Sequence, residues 1–202
     1  MIAVIDYGMG NIASILNMFK RIEVRDVVLT NDPELIDKAK KIILPGVGAF
    51  DHGMQHLHAS GIIPVLNKKA LQDKIPVLGI CLGMQLLTRK SEEGQEKGLG
   101  WIQADTKKFV LPENYGYKIP HMGWNYIRVV KPSPLVNEGR QKFYFVHSYY
   151  VACDNRSDIV ATCSYGHDFD CVVQHDNIFG AQFHPEKSHK FGMKLLENFS
   201  KL

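Results

Sequence analysis

The sequence predicts an α/β fold on a largely parallel sheet, and three observations carry that reading. Apolar runs near residues 2–5, 27–29, 42–44 and 75–78 alternate with stretches whose apolar side chains recur at helical spacing. Such alternation builds βαβ units, which set their strands parallel. The second half instead carries shorter β-like runs between polar turns, which read as antiparallel additions to the same sheet. The 202 residues suffice to bury a full core, and one domain over residues 1–202 is expected.

In chain order, Ile2-Ala3-Val4-Ile5 passes through Gly8-Met9-Gly10 to a helix bearing Ile12, Ile15, Leu16 and Phe19. Val27-Val28-Leu29 precedes Asp32-Pro33-Glu34, which supplies an N-cap, a proline at the first helical position and an early acid, so a second helix begins there. Ile42-Ile43-Leu44 runs into Pro45-Gly46-Val47-Gly48, and a helix over about 62–74 precedes the strand Ile75-Pro76-Val77-Leu78. Further runs fall at 108–110, 126–130, 143–146, 159–162 and 171–173. A last strand over 178–183 opens onto His184-Pro185-Glu186, and a helix over about 189–201 follows.

Composition narrows the partners. A net charge of +3 without a block of basic residues leaves no electrostatic footprint for nucleic acid or anionic lipid. The N-terminal apolar run is too short for a signal peptide and no stretch approaches a membrane span, so a cytoplasmic protein is expected. Cys81, Cys153, Cys163 and Cys171 form no CxxC pair, and the last three are expected to pack as small apolar groups. His52, His56 and His58 lack a cysteine or carboxylate that would complete a metal set, so neither metal nor cofactor is expected.

Gly79-Ile80-Cys81-Leu82-Gly83 places a cysteine where an apolar strand gives way to a helix. Glycine on each side permits a sharp turn, and the Leu82 amide then opens a helix, where an anion is stabilised. A thiolate nucleophile needs a base beside it, and the base needs a third group to fix its tautomer. His184 and Glu186 suit those roles, two residues apart at the end of a strand, with Pro185 suppressing helical continuation. If the last strand joins the parallel set, both motifs lie at carboxyl ends of strands, where open α/β sheets bind ligands.

Gly79-Ile80-Cys81-Leu82-Gly83-Met84-Gln85 together with Phe183-His184-Pro185-Glu186 resembles the class I (triad) glutamine amidotransferases. Within that class Asp6-Tyr7-Gly8-Met9-Gly10-Asn11, Pro45-Gly46-Val47-Gly48-Ala49-Phe50, Pro120-His121-Met122-Gly123-Trp124-Asn125 and Tyr144-Phe145-Val146-His147-Ser148-Tyr149 resemble the glutaminase subunits of imidazole glycerol phosphate synthases. The resemblance runs nearly end to end. It implies a flavodoxin-like, three-layer fold and hydrolysis of L-glutamine through a Cys81 thioester, with His184 as acid and base and Glu186 as its orienter. It also implies an oxyanion hole from the Val47 and Leu82 amides, and glutamine binding near Gly48, Gln85, Glu93, His147 and Ser148. The implied partner is a HisF-type (β/α)₈-barrel cyclase in a heterodimer, faced by Asn11, Pro120, Met122, Trp124, Tyr144 and Lys187. Taken alone, Pro120-His121-Met122-Gly123-Trp124 reads as an apolar, proline-stiffened loop with interface-like residues.

Other readings stay open from the residues. Gly8-Met9-Gly10-Asn11-Ile12-Ala13 satisfies the G-x-G-x-x-G/A dinucleotide fingerprint, with Glu23 and Asp26 as ribose ligands, so a nucleotide-binding module with a structural Cys81 is one alternative. The segment 186–193, with Phe191, resembles paralogous glutaminases that supply ammonia for amidino-sugar formation in surface polysaccharides. The alternative to an interface role for Met122 and Trp124 is ordinary core.

Overall fold

The computed structural model describes residues 1–111, 116–137 and 139–202. Strands β1 (Ile2–Ile5), β2 (Val27–Thr30), β3 (Lys41–Gly46) and β4 (Val77–Cys81) alternate with α1 (Ile12–Arg21), α2 (Pro33–Asp37), α3 (Phe50–Ser60) and α4 (Ile63–Asn67), and α5 (Leu82–Leu86) follows β4. The second half contributes β5 (Ala104–Lys108), β6 (His121–Val129), β7 (Gln141–His147), β8 (Tyr149–Cys153), β9 (Ile159–Tyr165), β10 (His167–His175), β11 (Ile178–Ala181) and α6 (His189–Lys201).

The strands order as β2-β1-β3-β4-β11-β10-β9-β6-β7, with β5 and β8 paired beside the main path. The first five run parallel, and β10, β9, β6 and β7 extend the sheet antiparallel. The 2-1-3-4 start is the flavodoxin-like order. Chain direction explains the composition of the strands: β1, β4 and β11 are buried along their whole length, because helices cover both faces of a parallel sheet. One face is closed by α1 and α6 through Ile15, Met18, Phe19, Leu195, Leu196 and Phe199, the other by α3, α4 and α5 through Met54, Leu57, Leu66 and Leu86.

Local chemistry sets the helix starts. Asp32 caps α2, its carboxylate accepting from the Glu34 amide at 2.9 Å. Three expectations shift. The run at 108–110 lies just beyond its strand, since β5 ends at Lys108 and Phe109 turns into the core. Strand β8 escaped notice because its two tyrosines lie next to the polar Ser148 turn. The 120–124 segment is no loop beyond Pro120: His121 already pairs with His147 as the first rung of β6 and β7.

Candidate active site

β4 carries Cys81 to the carboxyl edge of the sheet, level with Gly46 on β3 and one rung past the Ala181–Ile80 pair of β11. Cys81 has φ 54° and ψ −111°, a positive φ that a residue with a Cβ holds only under strain. The turn therefore belongs to the cysteine itself, and the neighbouring glycines supply space instead of dihedral freedom. A Cβ on Gly79 would lie 2.6 Å from the Gly83 carbonyl oxygen, and one on Gly83 would overlap the Leu44 carbonyl. One on Gly46 would lie 2.7 Å from the Gly83 amide nitrogen. Backbones thus meet where side chains usually stand.

His184 follows β11 and comes to the same edge. Its Nδ1 donates to Glu186 Oε1 at 2.8 Å, and both side chains are almost completely buried. Its Nε2 is buried with no hydrogen-bond partner among the described residues, and Cys81 is the neighbour that bears on the ring beside Glu186. Burial favours the neutral ring, but Cys81 and Glu186 outweigh it and raise His184 from its usual value to about 10. Cys81 Sγ also lies 3.9 Å from the Val146 carbonyl oxygen and accepts from Gln182 Nε2 at 3.8 Å.

The sign of the pH dependence follows. The raised folded value stabilises the protein fully below about pH 6.5, and the contribution is lost as pH rises toward about 10. Glu186→Gln removes one of the charges that hold the imidazolium. Its alkaline limb in a pH profile of kcat/KM is expected at lower pH than that of the wild type; an unmoved limb would contradict the role of Glu186.

A cavity of about 680 Å³ opens over the sulfur. Of the residues anticipated from sequence, Cys81, His184, Val47, Leu82, Gly48, Gln85, Glu93, His147, Ser148, Asn11, Pro120 and Lys187 all line it. Val47 is 40% exposed, just past the end of β3, and Gly48 beside it takes φ +110°. Gln85 Nε2 donates to Tyr149 O and to Gln182 Oε1, each at 3.1 Å. Glu93 Oε2 accepts from the Phe50 amide at 2.8 Å, which fixes it at the start of α3. Both His147 ring nitrogens are used, Nδ1 donating to Tyr149 O at 2.7 Å and Nε2 accepting from His121 Nδ1 at 3.0 Å. Burial lowers His147 to about 3 and His121 to about 4, so the pair is neutral.

Sequence reasoning missed four supporting residues. Gln182 is fully buried beside the sulfur. Tyr7 is buried and its hydroxyl donates to Pro45 O at 2.5 Å, against the strand that leads to Val47. His121 holds His147 in place. Ser188, fully buried, donates to His184 O at 2.6 Å and accepts from Tyr144 N at 3.0 Å, lacing the turn that bears His184 to strand β7. A polar residue inside an apolar motif was the available signal for Gln182; Tyr7 and His121 stand inside segments that carry the family resemblance, though nothing local marks their partners.

Beside the cavity mouth, β6 and β7 alternate buried and open residues. Met122 is 60% exposed and Trp124 39%, so neither is ordinary core. Trp124 stacks on His189 and meets the Tyr144 ring edge-on, and Lys187 Nζ lies 5.7 Å from the Tyr144 ring centre. Phe191 packs instead against the core near Phe143, centroids 6.0 Å apart.

The dinucleotide reading loses Asp26 as a ribose ligand. Asp26 precedes β2 and pairs with the Met1 amino group at 2.5 Å, at the amino edge of the sheet, whereas Gly8 and Gly10 follow β1 at the carboxyl edge. A Cβ on Gly10 would lie 3.0 Å from Pro45, so that loop packs on the site itself. Burial pushes the Cys163 thiol up to about 12 and raises those of Cys153 and Cys171, so these are unreactive beside Cys81. His52 and His56 hydrogen-bond to one another through Nε2 at 2.9 Å.

A cysteine on a strained strand-to-helix elbow, with a histidine and glutamate from the adjoining parallel strand, defines a class I glutamine amidotransferase, and the chain belongs to that family. The family model described as glutamine amidotransferase class-I matches residues 3–202. The particular relatives carry one subunit name. The chain is 58% identical over 203 residues to imidazole glycerol phosphate synthase subunit HisH 2 of Methanococcus maripaludis, covering 100% of this chain and 99% of the relative. It is 50% identical to the HisH 2 subunit of Pseudomonas aeruginosa and 47% to the HisH subunit of Bdellovibrio bacteriovorus, each over the full length of both chains. A crystal structure of a glutamine amidotransferase superposes with TM-score 0.76 at 17% identity, covering 98% of this chain and 97% of that one. PurLQS from Thermotoga maritima gives 0.69 at 19%, covering 99% and 97%.

Proposed function

We propose that this chain is the glutaminase subunit of an imidazole glycerol phosphate synthase, working as one glutamine amidotransferase domain over residues 1–202 in the cytoplasm. The observation that carries the reading is the Cys81, His184 and Glu186 set gathered at one sheet edge under the 680 Å³ cavity. Among the described residues, no helix is long and apolar enough to cross a membrane.

The chemistry proceeds from the geometry. The Cys81 sulfur attacks the γ-carbonyl carbon of L-glutamine, and the carbonyl oxygen becomes an oxyanion held by the Leu82 and Val47 amides. A preorganised donor of this kind lowers the barrier by about 3 kcal/mol. His184 gives its proton to the departing ammonia, and a γ-glutamyl thioester remains. Water, deprotonated by His184, displaces the sulfur and yields glutamate. Glu186 keeps Nδ1 protonated and so leaves Nε2 to serve as the acid and base. Gly48, Gln85, Glu93 and the backbone at His147 and Ser148 hold the amino acid.

Ammonia then leaves past Asn11, Pro120 and Lys187 at the cavity rim toward a HisF-type barrel cyclase seated on Met122, Trp124 and Tyr144. Aromatic residues and methionine on an open strand face are what interface cores are made of. The relatives named as synthase subunits support this acceptor over an amidino-sugar pathway, and Phe191, the residue behind that alternative, is partly buried against the core.

The test is co-expression with a histidine-pathway cyclase and, separately, with a barrel from a polysaccharide cluster. Glutamine hydrolysis is expected to be slow in the isolated chain and to rise at least tenfold only with the liganded histidine-pathway cyclase. Asn11→Ala and Lys187→Ala are expected to reduce that stimulation while leaving the melting temperature unchanged. An isolated chain that is already fully active, with no response to either barrel, overturns the coupled reading.

A further inference from the structure

We propose that Gln182 is a catalytic residue of this site: its side-chain N–H holds the Cys81 sulfur as an anion and aims it at the cavity. The proposal rests on the Cys81 reading above and adds a group to it.

Gln182 is fully buried. A primary amide in such a place is costly unless its donors and acceptor are used. Its neighbours dictate which way it faces. Gln85 Nε2 donates to Tyr149 O at 3.1 Å and to Gln182 Oε1 at 3.1 Å. Tyr149 offers a carbonyl, which can only accept, so the Gln85 amide must present its NH₂ there and also toward Gln182. Gln182 must then turn its oxygen to Gln85, which leaves its own NH₂ toward Cys81 Sγ, 3.8 Å away. The orientation of Gln182 is thus fixed by a chain of amides anchored on backbone. Its main chain is equally constrained, the Gln182 amide donating to Cys171 O at 2.9 Å.

The sulfur's other neighbours cannot do this work. Val146 presents a carbonyl oxygen at 3.9 Å, which accepts from a thiol and is indifferent or repulsive to a thiolate. His184 holds the transferred proton and then releases it to the leaving group, so its charge is absent for part of the cycle. Gln182 keeps a donor on the sulfur throughout. It acts when the sulfur is anionic: before attack, and again when water displaces the thiolate from the thioester. Amides in a hydrogen-bonded series polarise one another, which strengthens the terminal donor. The motif places both amides by short spacings, Gln85 four residues after the nucleophile and Gln182 two before the base.

Two variants in the full chain test this. Gln182→Met keeps the size and removes the donor; Gln182→Glu keeps an oxygen for Gln85 and sets a second oxygen against the sulfur. The readout is the rate of Cys81 alkylation by iodoacetamide at pH 7, with Cys81→Ala as the labelling control, and glutamine turnover with the cyclase present. Alkylation is expected to slow about tenfold in Gln182→Met and further in Gln182→Glu, as loss of one charge-assisted hydrogen bond implies. kcat is expected to fall by about the same factor with KM within about threefold. Alkylation needs no glutamine, so it reports on Gln182 even if the glutaminase reading fails. A purely structural role would lower the melting temperature and leave the alkylation rate of the folded protein alone. Wild-type alkylation in folded Gln182→Met overturns the proposal; should that variant not fold, wild-type alkylation in Gln182→Glu does.

Discussion

Cys81→Ala, assayed with the cyclase partner present, is expected to abolish glutamine hydrolysis, a loss on the order of 10⁴-fold or more. Neither His184, whose Nδ1 is committed to Glu186 at 2.8 Å, nor Ser188, whose Oγ donates to a backbone carbonyl at 2.6 Å, can replace the sulfur. Glutamine binding is expected to survive within about threefold by calorimetry, because Gly48, Gln85, Glu93 and the 147–148 backbone stay in place. Retained turnover would remove Cys81 from the mechanism. The same position carries a stability test. At φ 54° an alanine keeps the strain that a glycine releases, so Cys81→Gly is expected to melt above Cys81→Ala by the equivalent of about 1 kcal/mol. The reverse order would mean that the elbow is not strained.

Gly83→Ala is expected to be among the most damaging single-methyl changes in the chain. The added Cβ would lie 1.9 Å from the carbonyl oxygen of Leu44, a β3 residue that pairs with Gly79 of β4 and cannot step aside without breaking the ladder. Overpacking against backbone costs about 3 kcal/mol or more, which for a domain of this size lowers the melting temperature by roughly 10 °C. Gly100→Ala is the control. Nothing lies within 4 Å of a Cβ there, and only the φ of +67° is unfavourable, so the loss is expected to be about 1 kcal/mol. Equal losses at the two positions would show that conformational freedom, and not space, is what Gly83 provides.

The sheet's first half was legible because strand and helix alternate with clear punctuation. Asp32-Pro33-Glu34 marked α2, and the apolar run ending at Cys81 marked β4. The gathering of Cys81, His184 and Glu186 was legible for the same reason, since both motifs sit at strand ends that parallel pairing brings side by side. What sequence obscured was long-range. The neutral His121–His147 pair joins residues 26 apart through a β6–β7 rung, and Gln182 meets Gln85 across 97 residues. No local pattern announces a partner that arrives only when the sheet closes. The elbow glycines were read as sources of dihedral freedom because that is what an isolated turn requires; the close approach of three backbones appears only in the fold.

The two amides proposed for the oxyanion are mechanically unequal. Leu82 opens a buried helix clamped between Gly46, Gly79 and Gly83, where backbones already touch. Val47 stands outside the ladder, 40% exposed, hinged on a glycine at φ +110° and steadied from one side by the Tyr7 hydroxyl on Pro45. Nucleophile, base and one donor therefore form a rigid frame of reference. The peptide at the rim is the one member of the set that packing does not fix, so a partner seated there would meet Val47 before it met Cys81, His184 or Glu186.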